Sequence, residues 1–346
     1  MDTTAPVVPP QAAASQLLYQ IATGHWVASA LQIIVRLGIV DRFADNESRT
    51  AAELAGAADV HEDALYRVLR ALAAVGIFNE VAPRRFRLTM AGEQLRADVP
   101  GSMRNMALWA TSPFHYHVYA EMLHSVRTGQ PAAEKVFGMP VFDYLQSQDE
   151  LSEIFNNAMT SFSEVVIPAA IDAYDFTGID LIVDVAGGHG AVLTAILREY
   201  PNMRGVLFDL EHVILGARAR IEAAGVADRC WIEAGNFFRA ITPGADAYIM
   251  KHIIHDWDDA QALSILDNIR RAMGNKRGRV ILLENVLQPG NAPELGKVVD
   301  LEMLVMTGGR ERTADEFDAL FAKAGFELTR IVPTASPLSV IEARLA

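Results

Sequence analysis

Cysteine is nearly absent from this chain: its 346 residues include only Cys230. A single cysteine cannot form an internal disulfide or supply a cysteine-rich metal site, which excludes a disulfide-stapled scaffold and a zinc ribbon. The chain also lacks an apolar run of transmembrane length, and it lacks the basic and apolar segments of a secretory signal. We therefore expect a soluble protein of the cytoplasm with no membrane partner.

Positive charge is also in short supply, since 30 Lys and Arg residues stand against 43 Asp and Glu residues and leave a net charge of −13. Nucleic-acid binding depends on neutralising phosphates, so this balance disfavours a nucleic-acid partner. Hydrophobic residues make up 51% of the chain and charged residues 21%, which is a normal globular composition. The length corresponds to roughly two domains.

The N-terminal part has the pattern of helices followed by a small β-ribbon. Apolar residues recur at helical spacing over 15–40, a capping box opens a short helix at 50–53, and a second helix follows at 61–75. Extended pieces come next, at 77–81 and 86–88. This order predicts a winged-helix-like domain. Apolar residues on more than one face of the first helical segment predict that the domain forms a homodimer.

Three segments are expected: the N-terminal domain over 1–100, a helical linker or substrate lid over 101–175, and an α/β domain over 176–346. Within the lid, one helix is predicted at 116–128 and two separate helices at 151–163 and 165–174. In the α/β domain strands and helices alternate, which predicts a doubly wound, mostly parallel, Rossmann-like sheet of seven strands. A short link between the last two strands predicts an antiparallel C-terminal hairpin. The strand candidates are 181–184, 205–209, 229–233, 246–251, 279–285, 326–332 and 338–343.

A glycine-rich turn follows the first of these strands. The strand ends in Asp184, and the turn runs Ala-Gly-Gly-His-Gly over 186–190 before a helical pattern begins. A tight glycine turn between a strand and a helix lets the backbone approach a nucleotide-like ligand closely. The turn lacks the G-x-G-x-x-G spacing typical of pyrophosphate binding. Its acidic strand end fits S-adenosylmethionine (SAM) better, although glycine turns also serve as plain structural ends.

Two further strand ends carry polar residues suited to a nucleoside. Asp209 ends the second strand, about twenty residues after the glycine turn, where an acidic residue can bind ribose hydroxyls. It could also cap a helix. Asn236 and Phe237 follow the third strand, where an amide can bond to the edge of an adenine and a ring can contact its face. An Asn-mediated turn with core phenylalanines is the alternative.

The next strand leads into Lys251-His-Ile-Ile-His255-Asp256-Trp-Asp-Asp. The strand brings Lys251 and His255 to the carboxyl edge of the sheet, where open α/β folds bind ligands. Asp256 and the aspartates after it could simply be favourable charge at a helix N-terminus. Metal ligation by His252, His255 and these aspartates is conceivable, but no matching ligand cluster appears elsewhere, and we predict no metal.

Two glutamates complete the set of candidate catalytic residues. Glu284 ends an otherwise apolar strand, and Glu311 lies in Gly308-Gly-Arg-Glu-Arg-Thr313. An unpaired buried charge is costly, so Glu284 is expected to pair with an imidazole and hold it in one tautomer. Glu311 could instead belong to a solvated loop before a capped helix.

Together these motifs resemble the SAM-dependent O-methyltransferases typified by the plant caffeic acid and flavonoid enzymes. The bacterial relatives that methylate polyketide and antibiotic phenols are closest in length and style. The resemblance covers nearly the whole chain, including the winged-helix dimerisation segment, and His255-Asp-Trp-Asp-Asp259 is its most specific element. It implies a homodimeric enzyme of secondary metabolism that moves a methyl group from SAM to a phenolic hydroxyl of a small aromatic substrate.

The resemblance also implies residue roles. His255 would be the general base, flanked and oriented by Glu284 and Glu311, with Asp256 supporting the same loop. The cofactor would be bound by Asp184, Gly187, Gly188, Asp209, Leu210, Asn236, Phe237 and Lys251. The substrate pocket would be lined by Trp109, Phe155, Met159, Met303 and Met306.

The chain departs from the family pattern at two positions. Ala186 replaces the usual first glycine, which is tolerable if its φ is negative. Asn236 replaces the usual aspartate, keeps an acceptor oxygen and loses the charge, so weaker cofactor affinity is a possible cost. Two other functions stay open: a hydroxylase or decarboxylase that uses SAM on the same fold, and a ligand-sensing regulator whose Arg67 and Arg70 enter DNA.

Overall fold

The computed structural model describes residues 9–274 and 277–346. Within them the chain folds into two compact units. One unit comprises the described residues up to Tyr116 together with Glu153–Ser161, and the other comprises His117–Ser152 and Phe162–Ala346. No helix in the described residues is long and apolar enough to cross a membrane.

The first unit is helical with a three-stranded antiparallel ribbon. Its helices are α1 (Pro10–Arg36), α2 (Ala51–Ala58), α3 (Glu62–Ala74), α4 (Met90–Glu93), α5 (Arg104–Ala110) and the first half of α6 (Pro113–Ala120). Its strands are β1 (Ser48–Thr50), β2 (Phe78–Ala82) and β3 (Arg85–Leu88), in the order β1-β3-β2. The Thr50 side chain and the Glu53 side chain form the predicted capping box of α2. Leu54, Leu69 and Phe86 lie in its buried core.

The second unit is a seven-stranded sheet with helices on both faces. Its helices are α7 (Met122–Thr128), α8 (Ala132–Phe137), α9 (Val141–Gln146), both ends of α10 (Asp149–Ala173), α11 (Ala191–Glu199), α12 (Ala217–Ala223), α13 (Asp259–Met273), α14 (Leu295–Met306) and α15 (Ala314–Lys323). Its strands are β4 (Leu181–Val185), β5 (Arg204–Asp209), β6 (Cys230–Ala234), β7 (Ala247–Lys251), β8 (Arg279–Glu284), β9 (Val286–Leu287), β10 (Arg312–Thr313), β11 (Phe326–Pro333) and β12 (Ser339–Leu345).

The main sheet has the order β11-β12-β8-β7-β4-β5-β6. The strands from β8 to β6 pair in parallel, and β12 pairs antiparallel with both β8 and β11. The predicted doubly wound sheet and C-terminal hairpin are therefore confirmed. Strands β9 and β10 form a separate two-stranded parallel sheet. Because the parallel strands end at one edge, Asp184, Asp209, Lys251 and Glu284 are all placed along that edge.

Two helical predictions were wrong, and one helix was missed. The two helices expected at 151–163 and 165–174 are one continuous helix, α10, which runs through Pro168. The single helix expected at 116–128 is broken between α6 and α7. Helix α14 was not predicted, because its apolar side chains point in several directions: Leu295 and Val298 are exposed, whereas Met303 and Met306 are buried. A uniform apolar pattern of this kind gives no periodicity.

Candidate active site

The glycine turn after β4 presents bare backbone at the carboxyl edge of the sheet. A Cβ added to Gly187 would lie 2.5 Å from the carboxyl group of Asp184, so only glycine fits there. Gly188 has a φ of +59° and open space where a Cβ would be. Its amide donates to Oδ2 of Asp209 over 2.8 Å, while Oδ1 accepts from the Leu210 amide at 2.6 Å. Backbone and carboxylate thus form one cradle.

Two details of this region differ from expectation. Ala186 has a φ of +56°, so the condition that its φ be negative is not met, and the alanine carries the strain that the usual glycine would avoid. Its amide is nevertheless bonded to the Phe208 carbonyl at 2.8 Å. Burial raises the pKa of Asp184 to about 7, although its Oδ2 accepts from the Leu193 amide at the start of α11. Asp184 therefore links the end of β4 to the start of α11 across the glycine turn.

The third strand end forms the turn that was considered as the alternative. Oδ1 of Asn236 accepts from the Phe238 amide at 2.8 Å, which is an Asx turn. The ring of Phe237 is partly buried and lies 5.9 Å from the ring of Trp257. A Cβ added to Gly235 would lie 2.3 Å from the ring of Phe208. The chain therefore comes close to the sheet here, and Asn236 is an exposed residue.

The imidazole of His255 is held among three carboxylates. Its Nδ1 lies 2.8 Å from Oε1 of Glu311, in hydrogen-bond range. The nearest oxygen of Glu284 is 3.7 Å from the same Nδ1, which is beyond a hydrogen bond. Asp256 lies on the other side, with Oδ1 3.7 Å from Nε2. Because a carboxylate accepts, the Glu311 contact places the proton of the neutral imidazole on Nδ1 and leaves Nε2 of that neutral ring as the acceptor.

Glu284 forms an ion pair with the expected imidazole at 3.7 Å, but its hydrogen bonds go to backbone amides. Its Oε1 accepts from the amides of Ile253 and Ile254, at 3.1 and 3.0 Å. These two amides converge because His252 has a φ of +52° and Ile253 is right-handed, the alternation that forms an anion-binding nest. The fully buried charge of Glu284 is thus stabilised by the turn that carries His255. Glu284 and Glu311 each keep one buried oxygen, Oε2, that makes no hydrogen bond in the described residues.

The carboxylates change the protonation of the base. Burial alone lowers the pKa of His255, but Glu284, Asp256 and Glu311 outweigh it and raise that pKa to about 9. Burial raises the pKa of Glu284 to about 7 and that of Asp256 to about 6. Burial lowers the pKa of Lys251, which interacts electrostatically with Glu284, Asp184 and Asp256. Lys251 therefore connects the glycine-turn cradle with the histidine cluster.

A stack of rings extends from the base. The ring of His252 lies 4.5 Å from that of His255 at 25°, and 5.2 Å from that of Phe162 at 17°. Burial, with His255 and Lys251 nearby, lowers the pKa of His252 well below its usual value, so this second imidazole is neutral. Ligand atoms of His252, His255 and Glu284 lie within 4.8 Å of one another. A tetrahedral zinc site would need them at about 3.3 Å.

The predicted pocket residues fall in different units. Met303 and Met306 are buried on α14, in the unit that holds His255. Trp109, Phe155 and Met159 belong to the other unit, where the rings of Trp109 and Phe155 lie 5.0 Å apart. Their contact with substrate stays a prediction.

Sequence reasoning missed four residues around the cluster. Asn285 donates to Oε1 of Glu311 at 3.0 Å, and Asp300 accepts from the Glu311 amide at 2.8 Å. A Cβ added to Gly309 would lie 2.0 Å from the carbonyl oxygen of His255. Arg312 is the largest fully buried side chain of the described residues. Gly309 and Arg312 gave a weak signal, because both lie in the motif that contains Glu311.

The residues present fit SAM. A cradle of bare backbone with an acceptor-only carboxylate suits ribose hydroxyls, and the polar strand ends beside it suit a nucleoside. The sequence matches an O-methyltransferase domain over residues 119–327 and an O-methyltransferase dimerisation domain over residues 19–98.

Individual relatives agree. The phenazine O-methyltransferase PhzM of Lysobacter antibioticus is 43% identical over 330 residues, which is 95% of this chain and 96% of that protein. The structure of the mitomycin 7-O-methyltransferase MmcR superposes with a TM-score of 0.90 at 35% identity and covers 97% of this chain and 99% of that one. An O-methyltransferase of neocarzinostatin biosynthesis, solved with SAM and 2-hydroxy-5-methyl naphthoic acid, gives 0.79 at 33% identity over 92% and 96% of the chains. The chain therefore belongs to the family of SAM-dependent O-methyltransferases that act on aromatic natural products.

Proposed function

We propose that this chain transfers a methyl group to a phenolic hydroxyl of a small aromatic natural product, with His255 as general base and without a metal ion. The observation that carries the proposal is the Nδ1 contact of His255 with Glu311, which leaves Nε2 as the acceptor. When bound, SAM supplies an electrophilic methyl group and a positive charge. The residues that would hold it are Asp184, Gly187, Gly188, Asp209, Leu210, Asn236, Phe237 and Lys251.

The carboxylates make the base strong enough for a phenol. Nε2 of His255 takes the phenolic proton, and the imidazolium that forms donates from Nδ1 to Glu311. A phenol has a pKa of about 10 and an ordinary histidine about 6.5, so the transfer would be uphill by about 3.5 units. With the pKa of His255 raised to about 9, the deficit falls to about 1 unit, or roughly 1.4 kcal/mol.

Replacement of the base tests the assignment. We expect His255→Ala to bind SAM with unchanged affinity in calorimetry, while methyl transfer to phenols falls at least about a hundredfold, because a general base contributes ~10²–10⁴. His124→Ala, at a partly buried position of α7, is the matched control. Near-full turnover by His255→Ala would refute the assignment. If a phenol panel gives products without the labelled methyl group, the enzyme is instead a hydroxylase or decarboxylase that uses SAM.

The absence of a metal requirement needs its own measurement, because His252, His255 and Glu284 could approach a common ion. We expect exhaustive chelation to leave kcat unchanged, since Glu311 already orients the base. Loss of activity that added zinc restores would contradict the metal-free mechanism.

We also propose that the chain forms a homodimer through its N-terminal unit. The division of the chain into three segments, with boundaries near residues 100 and 175, is likewise a proposal. The homodimer is supported by the match to a dimerisation domain over 19–98 and by large apolar side chains that α1 leaves exposed. These are Leu17, Leu18, Tyr19, Ile21 and Trp26, each more than half exposed. Such a surface is costly in a monomer. Light scattering that shows a monomer at micromolar concentration would refute the dimer.

A further inference from the structure

The side chain of Arg312 is 1% exposed, which is rare for arginine unless its donors are all engaged. Its guanidinium donates to the carbonyl of Ile254 at 3.1 Å and to that of Trp257 at 3.1 Å. It also forms an ion pair with Asp259, the first residue of α13, at 2.9 Å. The planar fork of arginine can reach all three partners at once, whereas a lysine ammonium is a single point.

These bonds bracket the catalytic turn. Ile254 and Trp257 flank His255, and the carbonyl of His255 itself accepts from the Arg310 amide at 2.8 Å. The loop that contains Glu311 therefore contacts His255 twice: Glu311 bonds to the imidazole ring, and the Arg310 amide bonds to the backbone carbonyl of His255. Gly309 allows the close approach, because its Cβ position lies 2.0 Å from the His255 carbonyl oxygen. No side chain larger than hydrogen fits between loop and turn.

We infer that Arg312 is a positioning residue for the general base: it fixes the turn over 254–257 so that Nδ1 of His255 stays bonded to Glu311 and Nε2 faces the phenol. The inference rests on the proposed role of His255. It assigns a function to a residue that touches neither substrate nor cofactor. Its loss should impair proton removal specifically, because a displacement of about 1 Å in a catalytic group can cost ~10²-fold.

A series of ring-substituted phenols separates positioning from plain stability. Phenols with a pKa below the assay pH are already ionised and need no base, whereas weakly acidic phenols need His255. We expect Arg312→Lys to lower kcat by about tenfold to a hundredfold for weakly acidic phenols. For ionised phenols kcat should change little, and so should SAM affinity in calorimetry.

Arg229→Lys is the matched control. Arg229 also donates to three backbone carbonyls, those of Leu197, Tyr200 and Met203, at 2.6–3.2 Å, but none of them belongs to the catalytic turn. We expect this variant to lower the melting temperature and to leave the dependence of kcat on phenol acidity unchanged. If Arg312→Lys does not fold, Asp259→Asn removes the anionic partner of Arg312 at a half-exposed position and should give a smaller selective loss.

The outcomes are distinct. A uniform loss across the phenol series in both Arg312→Lys and Asp259→Asn would overturn the positioning role. The same series run on His255→Ala tests the proposed function: it should show the selective loss in its strongest form. If wild-type protein methylates no phenol, or His255→Ala keeps its rate with weakly acidic phenols, the proposed function fails first. A selective loss in His255→Ala without one in Arg312→Lys refutes only the positioning role.

Discussion

Replacing Glu311 by glutamine is the sharpest test of the histidine cluster. The change keeps the shape and removes one negative charge 2.8 Å from Nδ1 of His255. A hydrogen bond to a charged group contributes about 1.5–3 kcal/mol, and one pKa unit corresponds to about 1.4 kcal/mol. The pKa of His255, raised to about 9 in the intact cluster, should therefore fall by about 1–2 units.

The direction of the effect on activity depends on which protonation state of His255 is active. His255 must be neutral to accept a proton, so the rate of the wild-type enzyme should rise with pH until about 9. In Glu311→Gln the acid limb should move to lower pH by the stated amount. The plateau should also fall, because the imidazolium is less stabilised and the base is weaker. The apparent values belong to the coupled cluster, since Glu284 and Asp256 remain in it.

The assay is kcat/KM against pH with one phenol for all variants, so that the ionisation of the substrate itself cancels in the comparison. Glu316→Gln is the control. Glu316 belongs to the capping box of α15, where glutamine also serves. The Glu316→Gln substitution therefore removes one negative charge at a position that does not contact the imidazole. An acid limb that stays at the wild-type pH in Glu311→Gln would refute the reasoning. An equal shift in Glu316→Gln would assign the effect to net charge instead of to the Nδ1 bond.

Three other changes test the surrounding structure. Gly309→Ala should push the backbone of the His255 turn, cost about 1–3 kcal/mol in urea unfolding and lower kcat, whereas an intact kcat would show that the turn yields freely. Ala186→Gly should relieve the strain of a left-handed alanine and raise the free energy of unfolding by about 0.5–1 kcal/mol. The control Ala195→Gly, within α11, should instead lower it by about 1 kcal/mol. If both variants are destabilised, Ala186 is not strained. Burial raises the pKa of Glu342, but bonds from Tyr174, Arg330, Arg344 and Thr329 bring it to about 2, so its stabilisation is present above pH 4.5 and is lost as pH falls toward 2. Glu342→Gln should cost about 1.5–3 kcal/mol at pH 7 in chemical denaturation, and the deficit should shrink below pH 4.5; a deficit independent of pH would refute it.

The sheet could be predicted closely from the sequence because its strands are short apolar runs that end in turn residues. The predicted strand over 181–184 is β4, and those over 205–209 and 246–251 are β5 and β7, with bounds that differ by one residue. The helices were harder to predict. Residues 149–173 contain a proline and polar interruptions, yet Val166, Ile167 and Ala170 pack into the core of the sheet, and this tertiary packing makes one helix of two predicted ones.

The sequence predicted which residues form the site better than it predicted the contacts between them. Strand ends and acidic positions pointed to His255, Glu284 and Glu311, but spacing alone could not show that Glu311 makes the direct bond and that Glu284 is bound by backbone amides. The nest depends on the positive φ of His252, and few non-glycine residues adopt a positive φ. Arg312 was missed for a general reason: arginine is normally at the surface, and its burial is visible only once the carbonyls around it are placed.

The parallel stack of Phe162, His252 and His255 gives the enzyme a built-in magnetic probe. Circulating π-electrons in a ring shield nuclei that lie above its face, so the carbon-bound protons of the His255 imidazole should resonate upfield of those of solvent-facing histidines. Because His252 stays neutral, its shielding does not change as the base takes up a proton. Each ionisation of the working imidazole could then be followed as a resolved signal in the intact protein, without an attached label and without turnover.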